Sequence, residues 1–430
     1  MHLNGVDKKT LTLVTAVSAA CVVAFSAIAV LLYFILGRGG EKAEKKEPLA
    51  VHTEEMNGVW IASVINIDFP SSPDLSAAEL RSELDDIVRT TAKAGLDTIF
   101  FQVRPSADSL YRSEIFPVSS YLSEDGELRL DCLEYLIDSA KKEGIRVHAW
   151  INPLRAMVSG SVEDLCDGHP AKENPEWTVK YTDGITWFDC GIPEVRELVA
   201  EGVYEIVSNY DVAGVVFDDY FYPYPKYVTD EDGNQVICEF DDSETYAKYG
   251  TKFDDIGDWR RDNVNKMVEL CYNSVKQADE NVLFGVAPFG IWKNGDGGES
   301  GSATRGLQSC YDIYCDTVAW VKGGYVDYVA PQIYWSAEES AASYTAICDW
   351  WADRLSGSGV GYYICHAAYR YSPDEYSVWS SPQGIMTSQV EYALEKENYL
   401  GSIFYGYDAI RNNSNGIADE ISRLYSDKNE

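Results

Sequence analysis

Histidine is scarce in this chain, with five residues in 430, at positions 2, 52, 148, 169 and 366. No two of them stand at helical or strand spacing. The ligand pairs of a zinc-dependent polysaccharide deacetylase are therefore missing, and no metal or other cofactor is expected. Positive charge is short as well, with 35 Lys plus Arg against 69 Asp plus Glu and a formal net charge of −34. The first 50 residues hold six basic and four acidic side chains, so the remaining 380 carry 29 and 65, a net of −36. Such a body repels phosphate backbones and anionic lipid head groups, which excludes nucleic acid as a partner. None of the ten cysteines forms a CxxC pair with zinc spacing. Nine lie in the body, an odd number, with Cys310 and Cys315 the closest pair. No glycine-rich phosphate turn follows the first apolar run, so a nucleotide-binding open sheet lacks its signature. Apolar matter, by contrast, is plentiful. At 46% hydrophobic and 13% aromatic, with 30 Tyr and 11 Trp, the chain has ample material for a large core, which excludes disorder.

Between Lys9 and Arg38 no charged residue occurs, and residues 11–36 are all apolar or small. These 26 residues exceed the roughly 20 that span a bilayer. They also exceed the roughly 7–15 of a signal-peptide core, so they read as a retained transmembrane helix rather than a cleaved signal. Lys and Arg counts alone would place the body in the cytoplasm. Glu41, Glu44 and Glu47 interleave with those lysines, however, and a short tail before a signal-like span leads export. The expectation is a single-pass membrane protein with an extracytoplasmic body. It divides into a tail (1–10), a span (11–36), a flexible tether (37–53) and a folded domain (54–430).

From Asn57 onward, short runs rich in Val, Ile, Phe, Tyr and Trp alternate with amphipathic stretches. The runs are Gly58–Ile67, Thr98–Val103, Ile145–Ile151, Gly214–Phe217, Leu283–Ala287, Tyr325–Ile333, Gly361–His366 and Ser402–Tyr407. Between them Ala77–Ala94, Cys132–Glu143, Pro193–Asn209 and Asp258–Gln277 read as helices. Gly95 and Gly144 sit at left-handed caps, and Pro193 in a first turn. Eight such alternations predict a (β/α)8 barrel of TIM type with loop insertions near 153–187 and 220–257.

Barrel chemistry sits at the C-terminal strand ends. Those ends carry Asp68, Gln102 and Arg104, His148 and Asn152, Asp218 and Asp219, Gln332 and Tyr334, His366 and Asp408. Alternation puts Gln102 with Arg104 on one face, and likewise His148 with Trp150 and Asn152, and Gln332 with Tyr334. Polar groups are costly to bury on strands this apolar, so they are expected to converge on a ligand. His148 taken alone reads as a satisfied core histidine. Asp218-Asp219 is the sharpest feature, because adjacent carboxylates repel and burial raises at least one of them. Alternation assigns them different tasks, one facing substrate and the other holding Arg104, Arg155 or a loop. The run Tyr220-Phe221-Tyr222-Pro223-Tyr224 follows directly. Aromatic faces of this kind stack on the C–H faces of sugar rings.

The segments Gly58-Val59-Trp60-Ile61-Ala62 with Asp68-Phe69-Pro70, Phe101-Gln102-Val103-Arg104-Pro105 with Asp108-Ser109-Leu110-Tyr111, and His148-Ala149-Trp150-Ile151-Asn152-Pro153 resemble the glycosyl hydrolase-like family 10. So do Gly191-Ile192-Pro193-Glu194-Val195-Arg196, Phe217-Asp218-Asp219-Tyr220-Phe221-Tyr222-Pro223, Trp259-Arg260-Arg261-Asp262-Asn263-Val264-Asn265, Pro288-Phe289-Gly290-Ile291-Trp292 and Asp327-Tyr328-Val329-Ala330-Pro331-Gln332-Ile333-Tyr334-Trp335. They span about residues 54 to 410 in the family's order. The resemblance implies an exported or envelope-associated barrel that cleaves O-glycosyl bonds of a cell-wall polysaccharide, with peptidoglycan strands lacking stem peptides as the example. Two positions depart from the family pattern. Asp189-Cys190 stands where the family has Asn-Pro, and Val216 where it commonly has His.

Glycoside hydrolysis uses two carboxyl groups. Asp218 is assigned as nucleophile or stabiliser, with Asp219 the next candidate. No Glu stands at a strand end, so the partner acid is sought among Asp68, Asp108 and Asp408, of which Asp108 also matches the family motif. Substrate contacts are expected from Trp60, Asp68, Gln102, Arg104, His148, Asn152, Arg155, Tyr220, Tyr222, Gln332, Tyr334 and Trp335. The missing acid leaves a non-catalytic surface glycan-binding barrel as the alternative, with a polysaccharide deacetylase ranked behind it.

Overall fold

The computed structural model of the protein describes residues 54–123, 126–229, 233–371, 379 and 384–426. The span and tether expected at 11–36 and 37–53 lie outside them. Among the described residues no helix is long and apolar enough to cross a membrane.

Eight parallel strands close a barrel in chain order. They are β1 (Gly58–Ile61), β2 (Thr98–Arg104), β3 (Arg146–Ile151), β4 (Gly214–Phe217), β5 (Leu283–Val286), β6 (Tyr328–Val329), β7 (Gly361–Ala367) and β8 (Tyr399–Tyr405), with β8 pairing back onto β1. Each strand leads to a helix of the outer ring: α1 (Ala77–Lys93), α2 (Cys132–Lys142), α3 (Pro193–Asn209), α4 (Ile256–Ala278), α5 (Thr317–Gly323), α6 (Tyr344–Leu355), α7 (Ile385–Leu394) and α8 (Ile417–Ser426), with shorter helices in the connecting loops. Local chemistry sets the helix limits. A capping box between Ser76 and Glu79 starts α1, whose buried Leu80, Leu84, Ile87, Val88 and Thr91 form one stripe facing the sheet. Gly95 and Gly144 take left-handed φ of 75° and 71° just beyond α1 and α2.

Two apolar layers result. The larger lies between the strands and the helix ring, and the smaller fills the barrel with Trp60, Phe100, Trp150, Val216, Tyr328, Tyr363 and Ile403. Large rings fit inside because glycines stand opposite them. A Cβ at Gly285 would lie 2.0 Å from the Tyr328 ring, and one at Gly214 would lie 2.4 Å from His148. His148 and Tyr328 are themselves joined, Nδ1 to hydroxyl, at 2.9 Å.

The structure departs from the apolar runs at β1, at β6 and at β8, which spans Tyr399–Tyr405 rather than Ser402–Tyr407. β1 stops at Ile61 rather than Ile67, because Ile65 and Asn66 take positive φ (46° and 56°) and turn the chain over the barrel mouth. β6 is two residues long, and beyond it the ladder gives way to isolated bridges of Gln332 to Phe289 and Cys365. The insertions carry structure of their own. The first holds a small antiparallel sheet of Arg155–Met157, Thr178–Lys180 and Thr186–Phe188, and the second holds a hairpin of Tyr227–Thr229 with Gln235–Ile237. Gly285→Ala is expected to destabilise the barrel by about 1–3 kcal/mol, read as a lower urea midpoint, because the pinned Tyr328 ring cannot give way.

Candidate active site

At the C-terminal ends of the strands, Asp218 continues the inward row of β4 that includes Val216. Its Oδ2 accepts the Trp150 indole N–H at 2.9 Å and an N–H of the Asn152 amide, and its Oδ1 accepts the Tyr220 backbone N–H at 3.1 Å. Trp150 and Asn152 reach it together because they are two residues apart on one face of β3 and its extension. Asp219 stands where the strand has ended. A tight turn, with the Phe221 N–H on the Asp219 carbonyl at 3.0 Å, brings its carboxyl back toward the mouth. There it accepts the Tyr224 hydroxyl, and Gln332 lies beside it.

Both carboxyls are buried, 4% and 3% exposed. Burial, with the charge of Asp219 added, pushes Asp218 up to about 7 against the pull of Arg155, the Tyr220 N–H and the Trp150 indole. Asp219 is raised by burial too, against Tyr224, Gln332 and Arg155. With both carboxyls buried at adjacent positions, each opposes the other's charge. Arg155, 5% exposed, donates to the Pro105 carbonyl and the Asn152 side-chain oxygen, and its guanidinium covers the Tyr220 ring at 4.7 Å.

Aromatic rings border the pair. Tyr224, Phe289 and Trp335 follow one another with centroids 6.1 and 5.3 Å apart, and Tyr334 stacks on Tyr405 at 6.2 Å. The charges of Asp68 and Asp218 both act on Tyr405. Asp68 accepts the Ala62 N–H at 2.7 Å, and burial pushes it up to about 7, with Asp408 nearby raising it further. Asp408 itself is exposed, on the short helix Tyr407–Arg411.

Several residues expected to contact substrate stand elsewhere. Arg104 does not share a face with Gln102, because the pairing of β2 with β3 shifts register between them. Its guanidinium therefore turns outward, 4.3 Å from the Phe116 ring and against Gly202 of α3. His148 lies deep in the barrel on Tyr328, and burial drives it down to about 3, a neutral core imidazole. Trp60 is part of the floor, packed on Phe100 and Trp150 at 4.8 and 4.9 Å. Tyr222 points into the outer layer against Phe240 and Tyr314. Gln102, 1% exposed, bonds to protein groups. Asp108 is raised by burial and neighbours Ser119 and Arg104. None of its described hydrogen bonds goes to the pair. Four residues of the site lie outside the expected contacts, Trp150, Tyr224, Phe289 and Tyr405. Trp150 was legible as the inward neighbour of Asn152. Tyr224 was not, since only the turn after Asp219 aims it.

A sequence profile described as glycosyl hydrolase-like 10 matches residues 55–380. The chain belongs to the glycosyl hydrolase-like 10 family. It is 36% identical over 378 residues to the glycosyl hydrolase YngK of Bacillus subtilis (strain 168), covering 86% of this chain and 72% of that protein. It is also 36% identical over 336 residues to the glycosyl hydrolase DigH of Escherichia coli (strain K12), 74% of each. Family membership makes this barrel a glycoside hydrolase. Among solved structures, the glycoside hydrolase domain of PgaB (BpsB) from Bordetella bronchiseptica superposes with a TM-score of 0.53 at 12% identity, over 85% of this chain and 99% of that one. An endo-beta-1,4-mannanase from Thermotoga petrophila gives 0.50 at 12%, over 88% and 78%. At such identities the likeness is one of fold.

A buried carboxyl whose ionisation is resisted contributes stability below its unfolded value, and that contribution is lost as pH rises through its folded value. In this glycosyl hydrolase-like 10 protein, Asp219→Asn should therefore stabilise the fold at pH 8 by on the order of 1 kcal/mol, with the gain gone at pH 4. Asp218→Asn should bring no such gain, because its new amide group faces N–H donors. Thermal unfolding of both variants at the two pH values checks the contrast.

Proposed function

We propose that this glycoside hydrolase cleaves an N-acetylated cell-wall glycan, specifically peptidoglycan strands freed of stem peptides, and that Asp218 and Asp219 perform the chemistry. The observation that carries this is the buried pair itself, with three N–H donors on Asp218, a hydroxyl on Asp219 and aromatic rings around them. On this reading the two adjacent carboxyls lie on one side of the sugar and share a proton, and the attacking atom comes from the substrate. The acetamido carbonyl oxygen bonds to the anomeric carbon while the glycosidic C–O bond breaks. The leaving oxygen takes the proton of Asp219, and ionised Asp218 stabilises the positive charge that develops. Water then opens the cyclic intermediate and returns a proton to Asp219, leaving the anomeric configuration retained.

The acidic body supports the choice of strand. At −36 beyond residue 50 it repels anionic wall polymers, whereas strands without acidic stem peptides carry less charge. The apolar residues 11–36 would anchor the barrel at the outer face of the cytoplasmic membrane, next to that glycan.

The test is release of reducing ends from denuded glycan strands. Asp218→Asn and Asp219→Asn should each reduce kcat by ~10²–10⁴-fold. Wild-type activity should fall toward acid, as the pair takes up its second proton, and toward alkali, as it loses the first. Full activity in both variants sinks the assignment, and cleavage of de-N-acetylated strands at the wild-type rate sinks substrate participation.

A further inference from the structure

Gln102 was expected to touch substrate, yet it is 1% exposed and its side chain is spent on the protein. Its Oε1 accepts two consecutive backbone N–H groups, from Ser63 at 2.8 Å and Val64 at 2.9 Å. The Ser63 hydroxyl returns a bond to the Gln102 carbonyl at 2.7 Å. These N–H groups converge on one oxygen because the chain reverses just after them, through the positive φ of Ile65 and Asn66. A β-branched residue rarely adopts that conformation, and strain of this kind persists where surrounding bonds hold it in place. Here the Tyr121 hydroxyl takes the Ile65 N–H at 2.9 Å, and the Asn66 amide bonds the Pro70 carbonyl at 2.7 Å.

The consequence is directional. A backbone N–H can only donate, so the Gln102 oxygen must face Ser63 and Val64, and its NH₂ must face Asn152. The Asn152 oxygen accepts that donor and also the Arg155 guanidinium at 3.3 Å. Only the NH₂ of Asn152 is then left to meet Asp218, where it joins the donor-only Trp150 indole on the same carboxyl oxygen. Donors on a carboxylate favour its charged form. We propose that Gln102 is a positioning residue that fixes the direction of the Asn152 amide and thereby turns its NH₂ onto Asp218, favouring the charged form of that carboxyl.

This deepens the hydrolase reading, and part of its test needs no substrate. The groups facing Asp218 are Asp219 and Tyr220 beyond β4, Tyr224 in the following loop, Arg155 after β3 and Tyr405 on β8. Of these only Asp219 is a carboxyl, so the pair sets the titration read at the Trp150 indole. Gln102→Met keeps the shape and removes the relay. It should move the pH midpoint of the Trp150 indole N–H signal, assigned in ¹H–¹⁵N spectra through Trp150→Phe, up by about one unit, a tenfold change in proton affinity. On denuded strands it should lower kcat about tenfold with KM unchanged, and shift the acid limb upward by the same amount. Gln102→Glu repeats acceptor and donor while the introduced carboxyl is protonated. It should work at low pH and lose activity at a lower pH than wild type on the alkaline side, as that carboxyl ionises. An unmoved indole midpoint in Gln102→Met overturns the proposal. So does an unaltered profile in Gln102→Glu, which also serves if the methionine variant does not fold, and so does a raised KM at wild-type kcat. A wild type that releases no reducing ends would refute the hydrolase reading, while the indole titration still decides the relay.

Discussion

Two carboxyl groups buried side by side at the end of β4 are the constraint around which the mouth of the barrel is arranged. Removing Asp218 and Asp219 from water raises both, and their proximity opposes a second charge. The surrounding polar groups compensate unequally. Asp218 meets three N–H donors, two of them unable to reverse direction, whereas Asp219 meets a tyrosine hydroxyl. That asymmetry turns two chemically identical side chains into different groups. It depends on side chains from two strands and two loops held at fixed distances.

The barrel floor supplies the rigidity. Trp60, Phe100, Trp150, Tyr328 and Tyr363 fill the interior in edge and tilted contacts, with glycines opposite them and His148 locked neutral onto Tyr328. Trp150 belongs to that floor by its ring and to the site by its indole N–H, so packing fixes the donor on Asp218 directly. The aromatic residues around the pair come from loops after β4, β5 and β6 and from the end of β8. Among these rings only Tyr224 has a described hydrogen bond to the carboxyls.

Much of this could be read from the chain, and the exceptions have identifiable causes. Gly214–Phe217 was legible as β4 because four apolar residues end abruptly in two acids, and the strand has those bounds. Gly58–Ile67 was read too long because Ile65 and Ile67 are apolar yet stand exposed on a turn, 64% and 42%. Composition does not encode their positive or turning φ. Arg104 was placed with Gln102 by strict alternation, which one register shift breaks. Tyr222 is grouped with Tyr220 by its place in the aromatic run after the acidic pair, although no strand there sets which way each side chain points. Errors of this type arise at strand ends, where hydrogen bonding becomes irregular and side-chain direction is set by the turn.

The sequence by itself determined the eightfold alternation of strands and helices, the acidic character of the body, the family and the position of the Asp pair. Those properties are local or additive, carried by hydrophobic period, cap residues, charge count and motif. Only the tertiary structure decided which polar residues face the pair and in which direction each hydrogen bond runs. That information lies in contacts between residues 39, 50 and 66 positions apart, made by Ser63, Gln102, Asn152 and Asp218. Each donor's orientation is fixed by the next group along, so no short stretch of the chain contains it.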